Sequence, residues 1–276
     1  MWLRQQSFLR KGHVMSKLAF IFPGQGAQKA GMGKDFYENS EAARSFFDQA
    51  QKILDFDLKE MCFGEHEELN LTEYTQPCMV SVCLAIVQEL KKRGINPDIT
   101  AGLSLGEYAA VAAAGGMNEL DAIKLVRRRG ILMQSTVPAG EGAMAAVLGL
   151  DAKKIEEILE SFENVWIANY NCPGQIVITG LTNEVQQASL ALKEAGAKRV
   201  VELKVSGPFH SLLLKPAGEA LLKEMESMSF STLQVPYVAN ATAEIVTDSK
   251  KISTFFAKGI YSSVRWQQSI ETMLEN

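Results

Sequence analysis

A chain of 276 residues with 47% hydrophobic side chains is long enough to bury one large core and a smaller one beside it. Its 28 basic and 32 acidic residues leave a formal charge of -4, which argues against a general affinity for nucleic acid and leaves charged partners to local patches. Cys62, Cys78, Cys83 and Cys172 show no Cys-x-x-Cys spacing or metal-site histidine, and charge breaks every apolar run before about 18 residues; free thiols in a reducing, cytoplasmic compartment are expected, with no metal and no membrane span.

Residues 1–16 carry Arg4, Arg10 and Lys11 and no acid, and Met15-Ser16-Lys17 directly precedes the first strand. A transit segment and a leader translated from a start upstream of Met15 both fit; shortness and the lack of a long amphipathic face favour the leader, and either would stand outside the fold. An apolar strand is predicted over 18–22. It runs into Phe22-Pro23-Gly24-Gln25-Gly26-Ala27-Gln28, where glycines would let backbone N–H groups approach a ligand. Neither nucleotide template fits: Lys29 replaces the third glycine of one, and Gln28 and Asp35 break the other around Gly33-Lys34. A tight strand-helix turn and an oxyanion-binding loop both remain open. A helix is then expected over 77–93, with Thr75 as cap and Pro77 in the first turn.

The strand expected over 99–103 ends in Gly102-Leu103-Ser104-Leu105-Gly106, and Glu107 to Ala114 continues as a good helix former. Gly-x-Ser-x-Gly between strand and helix describes a nucleophile elbow, whose sharp turn leaves no room for side chains two residues either side of the serine. Ser104 would need a base. Of three histidines, His13 lies in the basic tail and His66 in an acidic stretch, whereas His210 follows a strand predicted over 200–205 and a Ser206-Gly207-Pro208 turn, before a helix from Leu212. His210 is therefore the candidate base. A helix over 118–137, capped by Asn118, carries Arg127-Arg128-Arg129. Successive helical residues point about 100 degrees apart, so one of the three can face inward and grip a carboxylate with two prongs.

Past Pro138 the order becomes strand 143–148, helix 151–162, strand 165–168, strand 175–180, helix 183–195 and strand 199–203, the β-α-β-β-α-β sequence of a ferredoxin-like unit. The fold class expected is α/β: an α/β-hydrolase-like large domain with a parallel sheet, 17–138 with 206–276, and an inserted ferredoxin-like small domain, 139–205. Ser104 and His210 flank the insertion, which puts the site in the cleft between the two.

Phe22-Pro23-Gly24-Gln25-Gly26, Thr75-Gln76-Pro77, Gly102-Leu103-Ser104-Leu105-Gly106-Glu107-Tyr108, Arg129-Gly130, Asn169-Tyr170-Asn171-Cys172-Pro173-Gly174-Gln175 and Pro208-Phe209-His210-Ser211 occur in that order. From about Leu18 onward the chain resembles the malonyl-CoA:acyl-carrier-protein transacylase family. The resemblance implies that Ser104 carries the malonyl group, His210 is the base and Arg129 binds the malonyl carboxylate, with the backbone N–H groups of Gln25 and Leu105 as oxyanion hole. It further implies a Gly259 carbonyl orienting the histidine and Phe209 favouring malonyl over methylmalonyl groups. Asn169, Asn171, Lys198 and Arg199 are candidate contacts to coenzyme A or the carrier.

The partners implied are malonyl-CoA and holo acyl carrier protein, the coenzyme A thioester being substrate, with no cofactor. A monomer serving fatty-acid synthesis is the expectation. A serine hydrolase or thioesterase shares the elbow and base, and a non-catalytic carrier-binding remnant is the third reading. Leu103 stands where the family commonly has histidine, and Gly259-Ile260-Tyr261-Ser262-Ser263-Val264 where relatives often read Gln-Leu-Tyr-Asn-Pro-Val. The family pattern also runs on past Asn276 through a strand, a Gly-Pro-Gly turn and a helix, so a truncated C-terminus is expected.

Overall fold

The computed structural model describes residues 17–276 apart from 139, 204 and 206, so the segment 1–16 with His13 lies outside the described residues, as does Ser206 of the predicted turn. In chain order the first part comprises β1 (Ala19–Phe22), α1 (Lys34–Asn39), α2 (Glu41–Gln51), α3 (Leu58–Phe63), α4 (Thr72–Lys92), β2 (Ile99–Gly102), α5 (Gly106–Ala113) and α6 (Glu119–Thr136). There follow β3 (Gly142–Leu148), α7 (Ala152–Leu159), β4 (Val165–Cys172), β5 (Gln175–Leu181), α8 (Thr182–Glu194) and β6 (Arg199–Glu202). The chain returns through α9 (Lys215–Met225), β7 (Tyr237–Val238), β8 (Ile245–Val246), α10 (Ile252–Tyr261) and α11 (Trp266–Glu275).

The result is a mixed α/β fold in which the described residues form two sheets. One has the order β1-β2-β7-β8, parallel across its first three strands and antiparallel at β8. β2 is buried at every position, as a central parallel strand must be when helices cover both faces. The other sheet, β4-β5-β3-β6, is antiparallel throughout. Phe47, Leu84, Ile123 and Phe256 belong to the core around the first sheet. Ile155, Ile176, Ile178 and Leu192 form a separate core between the second sheet and its helices. The two meet where Val264 bridges Asn169: the Val264 N–H donates to the Ala168 carbonyl at 2.7 Å, and Tyr170 N–H to the Val264 carbonyl at 2.9 Å.

Several boundaries differ from the sequence reading. α4 starts at Thr72 rather than 77, so Thr75 is not its cap; the Thr75 hydroxyl donates to the Leu69 carbonyl at 2.6 Å from inside the helix. Pro77 is therefore interior and offers no N–H to the Glu73 carbonyl one turn earlier. That carbonyl accepts from Arg127 Nη1 at 2.8 Å instead, and Arg127 also pairs with Glu73 Oε2 at 2.9 Å and Asp55 Oδ2 at 3.1 Å. The orphaned acceptor is thus satisfied from α6, which makes the proline tolerable. Asn118 caps α6 as expected, its Oδ1 accepting from the Leu120 and Asp121 N–H groups. β4 continues through two register shifts to Cys172 instead of ending at 168, which carries Asn169 and Asn171 into the strand. β6 stops at Glu202, short of 203 and 205.

Candidate active site

Three strand ends converge beside the elbow. At the end of β2 the backbone reverses so tightly that a Cβ on Gly102 would overlap the Gly106 carbonyl group, and one on Gly106 would overlap the Phe22 carbonyl oxygen. Only glycine fits either place. Ser104, between them, is held at φ 52°, and His210 across the site at φ 61°, a conformation non-glycine residues adopt at a cost of about 1–3 kcal/mol.

The two strained residues face each other. Ser104 Oγ lies 2.8 Å from His210 Nε2, while His210 Nδ1 lies 2.9 Å from the Gly259 carbonyl and 3.2 Å from that of Ser262. Carbonyls only accept, so Nδ1 carries the proton and Nε2 presents its lone pair to the serine hydroxyl. Burial first, and then the nearby Arg129 cation, push the His210 pKa down to about 4 against the pull of the two carbonyl bonds. The imidazole is therefore neutral at neutral pH, the form a general base requires.

Of the three consecutive arginines, Arg127 and Arg128 pair outward with Asp55, Glu73 and Glu224. Arg129 is buried, with its guanidinium over the Tyr108 ring at 5.3 Å and Nη2 donating to Ser104 Oγ at 3.1 Å. Its Nε–H has no partner among the described residues. A buried donor left open beside a serine hydroxyl is suited to an anionic ligand.

Ser104, His210 and Arg129 line a cavity of about 360 Å³. Gln25, Leu103, Asn169, Asn171 and Phe209 also line it, and Asn171 Oδ1 is buried with no partner among the described residues. Gln25 is anchored by its side chain, Nε2 donating to Thr72 Oγ1 at 3.1 Å. Leu105 is buried at the N-cap position of α5, where helix N–H groups have no intrahelical acceptor. Met133, Met144, Val177 and Leu203 make the remaining wall largely apolar. Lys198 and Arg199 do not reach this cavity. Arg199 pairs with Leu148 and Lys198 packs on Gly149, at the end of β3 away from Met144 and Leu203.

Sequence reasoning overlooked Asn240 and Glu107. Asn240 Oδ1 accepts the Ser104 N–H at 2.5 Å, its Nδ2 donates to the Gly102 carbonyl at 2.6 Å, and its own N–H donates to Glu107 Oε1 at 3.1 Å. Burial pushes the Glu107 carboxyl up to about 8, opposed by the Asn240 hydrogen bond and the Arg129 charge. In the sequence Glu107 stands out only as a helix former after the elbow and as part of the motif shared with the family, with no role of its own. Asn240 follows a strand of two residues, too short to register as a pattern, although a polar residue after Val238-Ala239 was a usable signal. Among the described residues no group of three or more His, Cys, Asp or Glu could hold a metal ion, and no helix is long and apolar enough to cross a membrane.

A strained serine on a strand-to-helix turn, backed by a neutral histidine and an inward arginine, is the arrangement that serine-based acyl transfer on an α/β fold requires. The family model described as "Acyl transferase domain" matches residues 19–276, and the chain belongs to that family of acyltransferases. Within it, the chain is similar to the malonyl CoA-acyl carrier protein transacylase of Bacillus subtilis (strain 168), 45% identical over 265 residues that cover 94% of this chain and 84% of the relative. The protein of the same name from Staphylococcus aureus (strain MSSA476) is 42% identical over 95% of this chain and 86% of its own length. Among solved structures, the acyl carrier protein S-malonyltransferase from Vibrio cholerae superposes with a TM-score of 0.91 at 40% identity, over 94% of this chain and 87% of that one. A malonyl-transacylase in complex with its type II PKS acyl-carrier protein does so with a TM-score of 0.91 at 38% identity, over 94% and 86%.

Proposed function

We propose that the chain transfers the malonyl group from malonyl-CoA to the phosphopantetheine thiol of acyl carrier protein, through a malonyl ester on Ser104, in fatty-acid synthesis. One observation carries the reading: a single oxygen, Ser104 Oγ, lies within hydrogen-bonding distance of both a neutral imidazole and a buried guanidinium. In a malonyl thioester the free carboxylate is one methylene from the carbon that the serine attacks, so an enzyme specific for it needs its cation close to the nucleophile. Arg129 meets that requirement, and its open Nε with Nη2 offers a two-pronged grip.

The steps follow from these groups. Ser104 Oγ bonds to the thioester carbon while its proton passes to His210 Nε2, and the N–H groups of Gln25 and Leu105 take the oxyanion. The carbon–sulfur bond then breaks and the imidazolium returns the proton to the departing thiolate of coenzyme A. In the second half the carrier thiol gives its proton to His210 and attacks the ester; the carbon–oxygen bond breaks and Ser104 recovers a proton. The Gly259 and Ser262 carbonyls hold the imidazole and stabilise its charged form, the role a carboxylate plays in other serine enzymes. Phe209, buried on the cavity wall, would crowd a branched acyl group.

The strand order β4-β5-β3-β6 supports reading 139–205 as a ferredoxin-like insertion in an α/β-hydrolase-like domain formed by 17–138 and 206–276. Asn169 and Asn171 are the better candidates for contacts to the coenzyme A arm, since they line the cavity. Initial rates with malonyl-CoA and holo carrier protein varied together test the assignment. Parallel double-reciprocal lines are expected for ping-pong transfer. Hydrolysis without transfer would indicate a thioesterase, and no turnover by folded protein a carrier-binding remnant.

A further inference from the structure

The elbow's strained turn is not held by glycines alone. β7 runs parallel to β2 with Ala101 opposite Val238, and two residues beyond that pair Asn240 arrives beside the elbow. There its carboxamide spans the turn, accepting from the nucleophile's own N–H and donating to the carbonyl of Gly102. An amide is the side chain of this length that can do both at once; aspartate offers only acceptors and leucine neither. Asn240 is itself fixed through its backbone. Its N–H donates to Glu107 Oε1 on α5, and its carbonyl accepts from the Arg265 N–H at 2.9 Å.

The last bond links the turn to the other half of the site. Arg265 follows Val264, which is hydrogen-bonded to β4, and the same segment supplies the Gly259 and Ser262 carbonyls that hold His210. A tight reversal keeps Asn240 in register, Ala239 N–H donating to the Glu244 carbonyl and Ala243 N–H to that of Ala239. Asn240 is buried and does not line the cavity, so it meets the acyl group only through the residues it holds.

We propose that Asn240 is a positioning residue for acyl transfer: through Glu107, Gly102, Ser104 and Arg265 it fixes the nucleophile's peptide and the histidine-holding segment in one frame. With the clamp gone, the Gly102 carbonyl and the Ser104 N–H, on the two successive peptides that lead into the nucleophile, both lose this partner, and the turn gains a route to relax out of φ 52°. A shift of about 1 Å in a nucleophile can cost about a hundredfold in rate.

The inference rests on Ser104 being the acylated residue. Pre-steady-state loading of Ser104 by malonyl-CoA is measured by quench and intact mass, at saturating and limiting substrate, for the wild type, Asn240→Leu and Asn240→Asp. Only protein with a native circular dichroism spectrum and a cooperative melt is scored. The maximal loading rate should fall about a hundredfold in Asn240→Leu and about tenfold in Asn240→Asp, which keeps the acceptor for the Ser104 N–H, with half-saturation unchanged within about twofold in both. A residue that only supported the fold would lower the melting temperature and leave the rate per folded molecule alone. Wild-type loading rates in either folded variant, or a loss confined to half-saturation, overturn the proposal. Should Asn240→Leu not fold, Asn240→Asp decides alone by the same criterion. A wild type that does not load Ser104 overturns the functional reading as well, whereas a wild type and variants that load alike overturn this inference only.

Discussion

Lowering the pH probes the base without altering a residue. An unperturbed histidine near 6.5 would be about 3% neutral at pH 5, whereas His210, held at about 4, would be about 90% neutral. Loading of Ser104 should therefore run at nearly its plateau rate at pH 5, rather than about thirtyfold below it. The acid limb of kcat/KM for loading, which reports the free enzyme, should have its midpoint close to 4. Single-turnover loading by malonyl-CoA, quenched and weighed at intervals from pH 4 to 8, measures this directly. Short incubations, with activity re-measured after return to pH 7, separate titration from denaturation. A midpoint near 6.5 would refute the reasoning, because it would mean that neither burial nor Arg129 acts on the imidazole. The same shift has a stability consequence: between about 4 and 6.5 the unfolded chain binds a proton at this histidine that the folded one does not, so folding gains stability as pH rises, by about 3 kcal/mol over that window.

Arg129→Ala should lower kcat/KM for malonyl loading by about 3–4 kcal/mol, or roughly two to three orders of magnitude, while sparing acetyl-CoA; equal losses for both acyl groups would remove the carboxylate clamp. The same variant should raise the acid midpoint of whatever loading remains, since the Arg129 charge is the second cause depressing His210. Glu107 works in the opposite sense: with its carboxyl at about 8 when folded and about 4.5 when unfolded, the native state holds the extra proton between those values and loses stability as pH rises through them. Glu107→Gln removes that titration, so its melting temperature should gain on the wild type progressively from pH 5 to 8, equivalent to up to about 4 kcal/mol, and a difference independent of pH would contradict the burial.

The residues proposed to react were legible because the chemistry assigned to them imposes local pattern. Gly102 and Gly106 are required by backbone contact, and that requirement is written in the sequence two residues either side of Ser104. His210 followed by elimination, and the 100-degree helical step singled out an inward arginine without saying which of three it was. What failed did so for a physical reason in each case. Pro77 suggested a helix start because a proline is easiest there, but Arg127 from another helix satisfies the carbonyl that an interior proline leaves open. Asn240 acts across 136 residues of sequence from Ser104, and no local pattern marks a long-range clamp presented by a two-residue strand.

The most direct measurement is the covalent intermediate itself. The enzyme, mixed with malonyl-CoA, acid-quenched and digested, should yield one modified peptide carrying a malonyl ester on Ser104. Adding holo carrier protein before the quench should move that group to the phosphopantetheine thiol, and Ser104→Ala should abolish both signals. A malonyl group found on any other residue, or transfer to the carrier that survives in Ser104→Ala, would contradict the assignment.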